Sequence, residues 1–343
     1  MRGSALGRPA ERPYRGPMPG DAPSARLRAA RDLRGLLRGG GARPAGPGLA
    51  VAALAELHGL LPYDCAALSR WDPLERVHRA VAVVGYPADV LGFLDRRMHT
   101  DPLFDEVRRG RVPVRVRDIP RPRRRGDVFD LVIDPLGFRD GVTQCLVAAD
   151  GRYLGMLNAS TLDLRHPDDD AVALLDLLAD DVAGLLDPLP AAGSTTAALA
   201  TGAAEGLFVT ATALVPLSPG ARPELAGPRS PLRPLVSAAL AGGGRVTSVL
   251  ALVGHELLEV TLEPRPGGVV LLHRPAAPPF GLTPRELEVL AALSRGGTNP
   301  GIARDLRISP RTVATHVEHL LAKTGAPNRT AAARLAADLG LVV

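Results

Sequence analysis

The sequence predicts a multidomain chain: an α+β unit, a second and smaller α+β unit, and an all-α C-terminal unit of four short helices. Three observations carry this expectation. The chain has 343 residues, more than one ordinary core of ~100–200 residues needs. Asp150-Gly151 lies between the strand-like runs "VTQCLVAA" and "YLGMLNAST", the signature of a tight hairpin inside mixed α and β patterning. From "TPRE" at 283–286 onward the apolar spacing is helical throughout.

Composition narrows the class. Apolar residues make up 46% of the chain and aromatics 3%, so Leu, Val and Ala must build the cores, and a stacking platform for single-stranded nucleic acid is not expected. The net charge of +5 is uneven: 1–47 carries +7, 280–343 carries +3, and the stretch between them is acidic at −5. A basic C-terminus behind an acidic middle places any nucleic-acid contact at the C-terminus. Cys65 and Cys145 are the only cysteines; with no C-x-x-C or Cys/His spacing they read as packing residues of a cytoplasmic protein. Neither a signal-peptide core nor a run of ~18 apolar residues is present, so no membrane partner is expected.

Taken in order, residues 1–47 are rich in Arg, Pro and Gly and are expected to be a disordered tail, with a short helix around 22–37. Residues 48–187 begin with the helical "LAVAALAELHGLL", continue through the strand-like "CAALSRW" and "HRAVAVV" and the hairpin, and close on "HPDDDAVALLDLLADDVAGLL". Asp residues at its start suit a cap, and the leucines fall on one face of a long amphipathic helix. This order of elements resembles a GAF-type sensory domain. Residues 188–204, rich in Ala, Gly, Ser and Thr, read as a linker. In 205–274 a helix and the runs "RVTSVLALV", "ELLEVTLE" and "GVVLLH" make a small α+β unit that resembles a PAS-type fold. The proline-rich "PAAPPF" at 275–280 reads as a stiff hinge.

The last unit, 279–343, is punctuated by helix starts. Thr283-Pro284-Arg285-Glu286 is a capping box with proline at the first helical position. Gly296-Gly297 ends that helix, Thr298 opens a second, and Ser309-Pro310 opens a third that runs to about Lys323. Val313, Val317, Leu320 and Leu321 give the third helix its apolar stripe, which leaves Arg311, Thr312, Thr315, Glu318, His319 and Lys323 on a polar face. Two helices joined by a tight turn, the second with such a face, have the geometry of a recognition helix in the major groove. Asn328-Arg329-Thr330 caps a fourth helix with Ala332, Leu335, Ala336 and Leu339 on one side, a stripe suited to a homodimer contact.

The run "LTPRELEVLAALSRGGTNPGIARDLRISPRTVATHVEHLLAKTGAPNRTAAARLA" resembles a LuxR-type helix-turn-helix domain. The resemblance implies a transcription regulator that binds two-fold double-stranded DNA as a dimer, with RNA polymerase as a candidate partner and an unknown small-molecule effector sensed upstream. Matching positions implied to meet DNA are Thr298, Asn299, Ser309, Arg311, Thr312, Ala314, Thr315, His316, His319, Lys323 and Arg329. Two positions depart from the family. Asn299-Pro300-Gly301-Ile302-Ala303 lacks the usual Glu of a second capping box, and Ala314 stands where a basic residue is usual. Arg311, Thr315, His316, Lys323 and the backbone amides at two helix N-termini remain, so the unit is expected to read DNA with reduced nonspecific affinity.

Other chemistry is not encoded. "AGGGRVTS" lacks the lysine of a P-loop, the His residues are scattered without metal-ligand spacing, and no G-x-S-x-G elbow or receiver-type acid cluster occurs. Asp168-Asp169-Asp170 suits a helix N-terminus rather than carboxylate catalysis. Neither an enzyme nor a cofactor is expected. The basic run "RRGRVPVRVRDIPRPRRR" at 108–125 reads as a mobile solvated loop, with a phosphate- or nucleotide-ligand loop as the alternative. The rival function is a ligand-binding signalling protein whose degenerate C-terminal helices serve only protein contacts.

Overall fold

The computed structural model describes residues 23–39, 47–189, 194–242 and 245–343, which fall into two compact units, Met1–Thr196 and Ala197–Val343. The first unit runs α1 Pro23–Gly39, α2 Pro47–Leu60, β1 Cys65–Asp72, β2 Val77–Val84, α3 Ala88–Arg96, α4 Pro102–Gly110, β3 Val114–Arg115, β4 Asp140–Val147, β5 Tyr153–Thr161, α5 Asp169–Leu177 and α6 Ala179–Ala183. A further helix, α7 Ser194–Ala200, lies where the sequence suggested only linker. Residues 1–22 and 40–46 of the expected tail lie outside the described residues.

The five strands form one antiparallel sheet in the order β2-β1-β5-β4-β3. Strand alternation divides the core in two. Ala66, Leu68, Leu157 and Ala159 pack on one side with Leu54, Leu57, Leu175 and Val182 of α2, α5 and α6. Ala67, Cys145 and Met156 pack on the other with Val90, Phe93 and Phe104 of α3 and α4. Burial pushes both cysteine thiols up to about 12, in keeping with packing residues. Gly155 sits where β5 crosses β1: its φ is +152° and a Cβ there would lie 2.0 Å from the Ser69 carbonyl oxygen, so only glycine fits.

Three expectations about this unit change. The short helix expected in the Arg-rich N-terminal stretch is α1, and it is packed rather than part of a tail: Ala30 and Leu33 are buried in the core, Arg26 pairs with Asp168 at 2.6 Å and Arg34 with Asp181 at 2.9 Å. The long closing helix is two helices, capped by the Asp168 side chain and broken at Leu178 with φ −97° and ψ 0°. Part of the basic run is tied to the fold rather than solvated. Arg115 bonds Asp118 and Asp169, Arg117 bonds the fully buried Asp140, Arg123 bonds Glu106, and Arg124 donates to the carbonyls of Ile119 and Arg117. Val114, Val116 and Ile119 of the same run pack on the core, while Arg108, Arg109, Arg111, Arg121 and Arg125 are exposed.

The second unit contains β6 Glu205–Val209, β7 Leu214–Pro216, α8 Arg233–Leu240, β8 Thr247–Val253, β9 Glu256–Arg265, β10 Gly268–Pro275, α9 Pro284–Ser294, α10 Asn299–Leu306, α11 Pro310–Thr324, α12 Arg329–Asp338 and β11 Leu341–Val342. Its sheet order is β11-β8-β9-β10-β6-β7. The chain terminus therefore supplies a strand: Leu341 and Val342 pair in parallel with Leu250 and Ala251. The proline stretch expected as a hinge is anchored, because the Ala276 amide donates to the Leu257 carbonyl at 2.8 Å. Leu252 and Leu257 belong to the same core as Leu287, Leu290, Ile302 and Val313 of the helices. The small sheet and the four helices are thus one packed body, where the sequence suggested two separated by a hinge.

Candidate nucleic-acid interface

Each helix start carries the cap its sequence prescribes. Thr283 accepts from the Glu286 amide while Glu286 accepts from the Thr283 amide at 2.8 Å, a complete capping box. Thr298 accepts from Gly301, Ser309 from Thr312 at 3.0 Å and Asn328 from Ala331 at 2.9 Å. With Gly301 in the third helical position, the α10 cap is one-sided, as the missing Glu implies. Gly325 ends α11 with φ +67°, while the α10–α11 turn passes through Arg307 at φ +55°. A non-glycine residue in that left-handed region is strained.

The packing fixes which face of α11 is free. Val313 and Leu320 are buried, Val317 and Leu321 pack against the same core, and Arg311, Thr312, Thr315, Glu318 and His319 are exposed. Ala314 and His316 are half-buried beside that face. The Ser309 and Thr312 hydroxyls bond each other at 2.8 Å, which orders the α11 N-terminus and leaves Arg311, Thr315, Glu318 and His319 as the other outward polar groups. Arg304 and Arg307, at the end of α10, are exposed and carry no ion pair among the described residues, like Arg311. Sequence reasoning did not assign these two; their signal was their place beside the turn.

Other expected contacts have partners inside the domain. The Lys323 ammonium lies 2.6 Å from Glu286 and 3.2 Å from the Gly281 carbonyl, so it locks α11 onto the capping box rather than standing free for phosphate. Burial alone would raise the Glu286 carboxyl; the bonds from Lys323 and from the Thr283 amide and hydroxyl outweigh it, and its pKa lies below the usual Glu value. Arg329 donates to the Gly297 carbonyl and to Asn299 Oδ1 at 3.3 Å, which ties two expected DNA contacts to each other across the α9–α10 loop. Arg285, bonded to Glu288 and to the Leu306 carbonyl, joins α9 to the end of α10.

The apolar stripe of α12 is corrected in part. Ala332 and Ala336 are 0% and 1% exposed in the domain core and cannot meet a second copy. Leu335 and Leu339 are half-exposed and remain the available part of the stripe.

Comparison with known proteins agrees with this geometry. Residues 281–336 match the model of the bacterial regulatory proteins of the luxR family. Over 56 residues the chain is 48% identical to the HTH-type transcriptional regulator Rv0890c of Mycobacterium tuberculosis, covering 16% of this chain and 6% of that protein. Over 58 residues it is 43% identical to the transcriptional regulatory protein LiaR of Bacillus subtilis, covering 17% and 28%. The aligned stretches are thus a small part of those relatives. Among solved structures, the GAF domain of a phosphoenolpyruvate-protein phosphotransferase from Coxiella burnetii is similar at 19% identity and a TM-score of 0.38, covering 52% of this chain and 98% of that one. With four capped helices, an exposed polar face on the third, and a family match over the same residues, the segment 281–336 is a LuxR-type helix-turn-helix domain.

Proposed function

We propose that the protein is a cytoplasmic transcriptional regulator that binds duplex DNA in a sequence-specific way as a dimer, with α11 in the major groove and a small-molecule effector sensed by a GAF-like N-terminal unit. The exposed polar face of α11 carries this reading: Arg311, Thr312, Thr315 and His319 serve no packing purpose, yet they lie on the helix that the tight turn presents outward. On this reading Thr315 and His319 face base edges, whereas Arg304, Arg307, Arg311 and the amides at the α10 and α11 N-termini face phosphates. The half-exposed Leu335 and Leu339 serve the dimer contact.

The test is the salt dependence of binding by the full chain to duplexes selected from a random pool. Counterion release requires log affinity to fall linearly with log salt, and Thr315→Ala with His319→Ala should relax the selected sequence. Absence of duplex binding at low salt would leave the helices as a protein-contact module.

A further inference from the structure

We propose that Glu318, on the outward face of α11, selects a cytosine in the bound DNA by accepting a hydrogen bond from its N4 amino group in the major groove. The proposal rests on reading α11 as the DNA-facing helix. Val313, Val317, Leu320 and Leu321 fix the inner side of that helix. At roughly 100° per residue, Arg311, Thr315 and Glu318 fall opposite this stripe, and all three are exposed. Glu318 is the only acid of α11, and the helix gives it no cation. Positions one turn away, where a surface acid ordinarily meets its partner, hold Ala314, Thr315, Leu321 and Ala322. Elsewhere in the domain Glu286 pairs with Lys323, Glu288 with Arg285 and Asp338 with Arg334, whereas Glu318 makes no ion pair among the described residues. Asp305 shares this lack, but on α10.

In water such a carboxylate is solvated at no cost. Against DNA it is repelled by phosphate, and a groove that strips its water leaves a charge whose burial is expensive unless a donor meets it. Guanine presents two acceptors in the major groove and thymine an acceptor and a methyl group, so the amino donors come from cytosine and adenine. Adenine sets its N7 acceptor beside the amino group, and an ionised carboxylate has no proton to give it. Cytosine offers a donor with no acceptor on its own edge. Thr315 and Glu318 lie three residues apart, about 4.5 Å along the helix axis, a little more than one base-pair step of ~3.4 Å. The cytosine therefore lies next to the base pair that Thr315 faces, or one pair beyond it.

The experiment selects duplexes from a random pool with the full chain, with Glu318→Ala and Glu318→Gln, and with Thr315→Ala as a position marker. Wild-type protein should return a cytosine within about two base pairs of the position that Thr315→Ala relaxes. In Glu318→Ala the affinity ratio of cytosine to the other bases there should fall about tenfold. Glu318→Gln should move the preference to adenine, because a Gln amide matches the adenine N6 and N7 together. Both replacements suit an exposed helical position, and both variants should bind unrelated duplex more tightly than wild type at low salt, since a charge that repels phosphate is gone. That uniform gain with an unchanged base preference would show a carboxylate that stays in water; it would overturn the proposal and leave α11 as the recognition helix. A selected site without cytosine near the Thr315 position would overturn it as well. Failure of the wild-type chain to bind any duplex would remove the DNA-binding reading, and the proposal with it.

Discussion

Replacing Lys323 by methionine keeps the aliphatic stem and removes the charge that Glu286 faces. The Glu286 side chain is 4% exposed and that of Lys323 36%, so the pair lies between a surface bridge worth little and a buried one whose breakage is severe. At 2.6 Å the gross attraction is roughly 6 kcal/mol for an effective dielectric constant of ~20. Desolvating Glu286 and ordering the long Lys323 chain offset most of it, leaving a net of about 2 kcal/mol, as for other hydrogen bonds to charged groups. Lys323→Met should therefore lower the melting temperature of the second unit by about 4–8 °C and loosen hydrogen-exchange protection in α9. Glu286→Gln should recover part of the loss in the double variant, with a coupling energy near the same ~2 kcal/mol. Because the folded Glu286 pKa lies below its ordinary value, its contribution is present above the unfolded pKa of ~4.3 and is lost as pH falls through the folded value; the variant should lack that acid-dependent fraction. The salt slope of DNA binding should barely change, since Lys323 is already neutralised. Unaltered stability together with a slope reduced by ~0.9 would show that Lys323 leaves Glu286 for a phosphate, and would refute this account.

Arg307 holds φ +55° without glycine, so Arg307→Gly should raise stability by about 1 kcal/mol in urea unfolding, at the expense of one DNA-facing cation; a loss of stability would mean the side chain has an anchoring role. Ala314→Lys should tighten duplex binding at low salt and the gain should shrink as salt rises, whereas no gain would mean that position 314 faces away from DNA. Leu335→Asp should abolish cooperative binding to an inverted repeat while sparing half-site binding and helical circular dichroism; persisting cooperativity would place the dimer contact elsewhere. Gly155→Ala should destabilise the first unit by more than ~2 kcal/mol in thermal unfolding, because its Cβ would overlap the Ser69 carbonyl oxygen, and a neutral effect would mean β1 and β5 can separate locally.

Legibility in the sequence follows the range of the interactions involved. The four caps at Thr283, Thr298, Ser309 and Asn328 act within three residues, so local spacing reveals them, and the Asp150-Gly151 hairpin is equally local. Lys323 with Glu286 and Arg329 with Gly297 join residues 37 and 32 apart; no periodicity encodes such pairs, and both arginine and lysine looked free. Ala332 and Ala336 illustrate a second limit, since a small-residue stripe reads alike whether it meets α9 of its own domain or another copy. The split of α5 from α6 at Leu178 and the strand Leu341–Val342 depend on tertiary context, which overrides weak local propensity.

These internal partners bear on how the proposed regulator would select its site. Removing Lys323, Arg329 and the absent charge at Ala314 from the proposed DNA-facing set leaves Arg304, Arg307 and Arg311 as the cations near the turn without an ion pair among the described residues. Each neutralised phosphate contributes about 0.9 to the salt slope, so one copy carries a shallow slope and a weak nonspecific hold. If Thr315 and His319 face base edges as proposed, they would contribute a larger share of the binding energy than in a lysine-rich domain, because sequence readout rests on base-edge contacts rather than on charge. On that reading, occupancy of a full site would depend correspondingly on joining two copies. On the proposed reading, an effector that changes how two copies associate would alter DNA occupancy without touching α11, and the point of control would then be the dimer contact rather than the recognition helix.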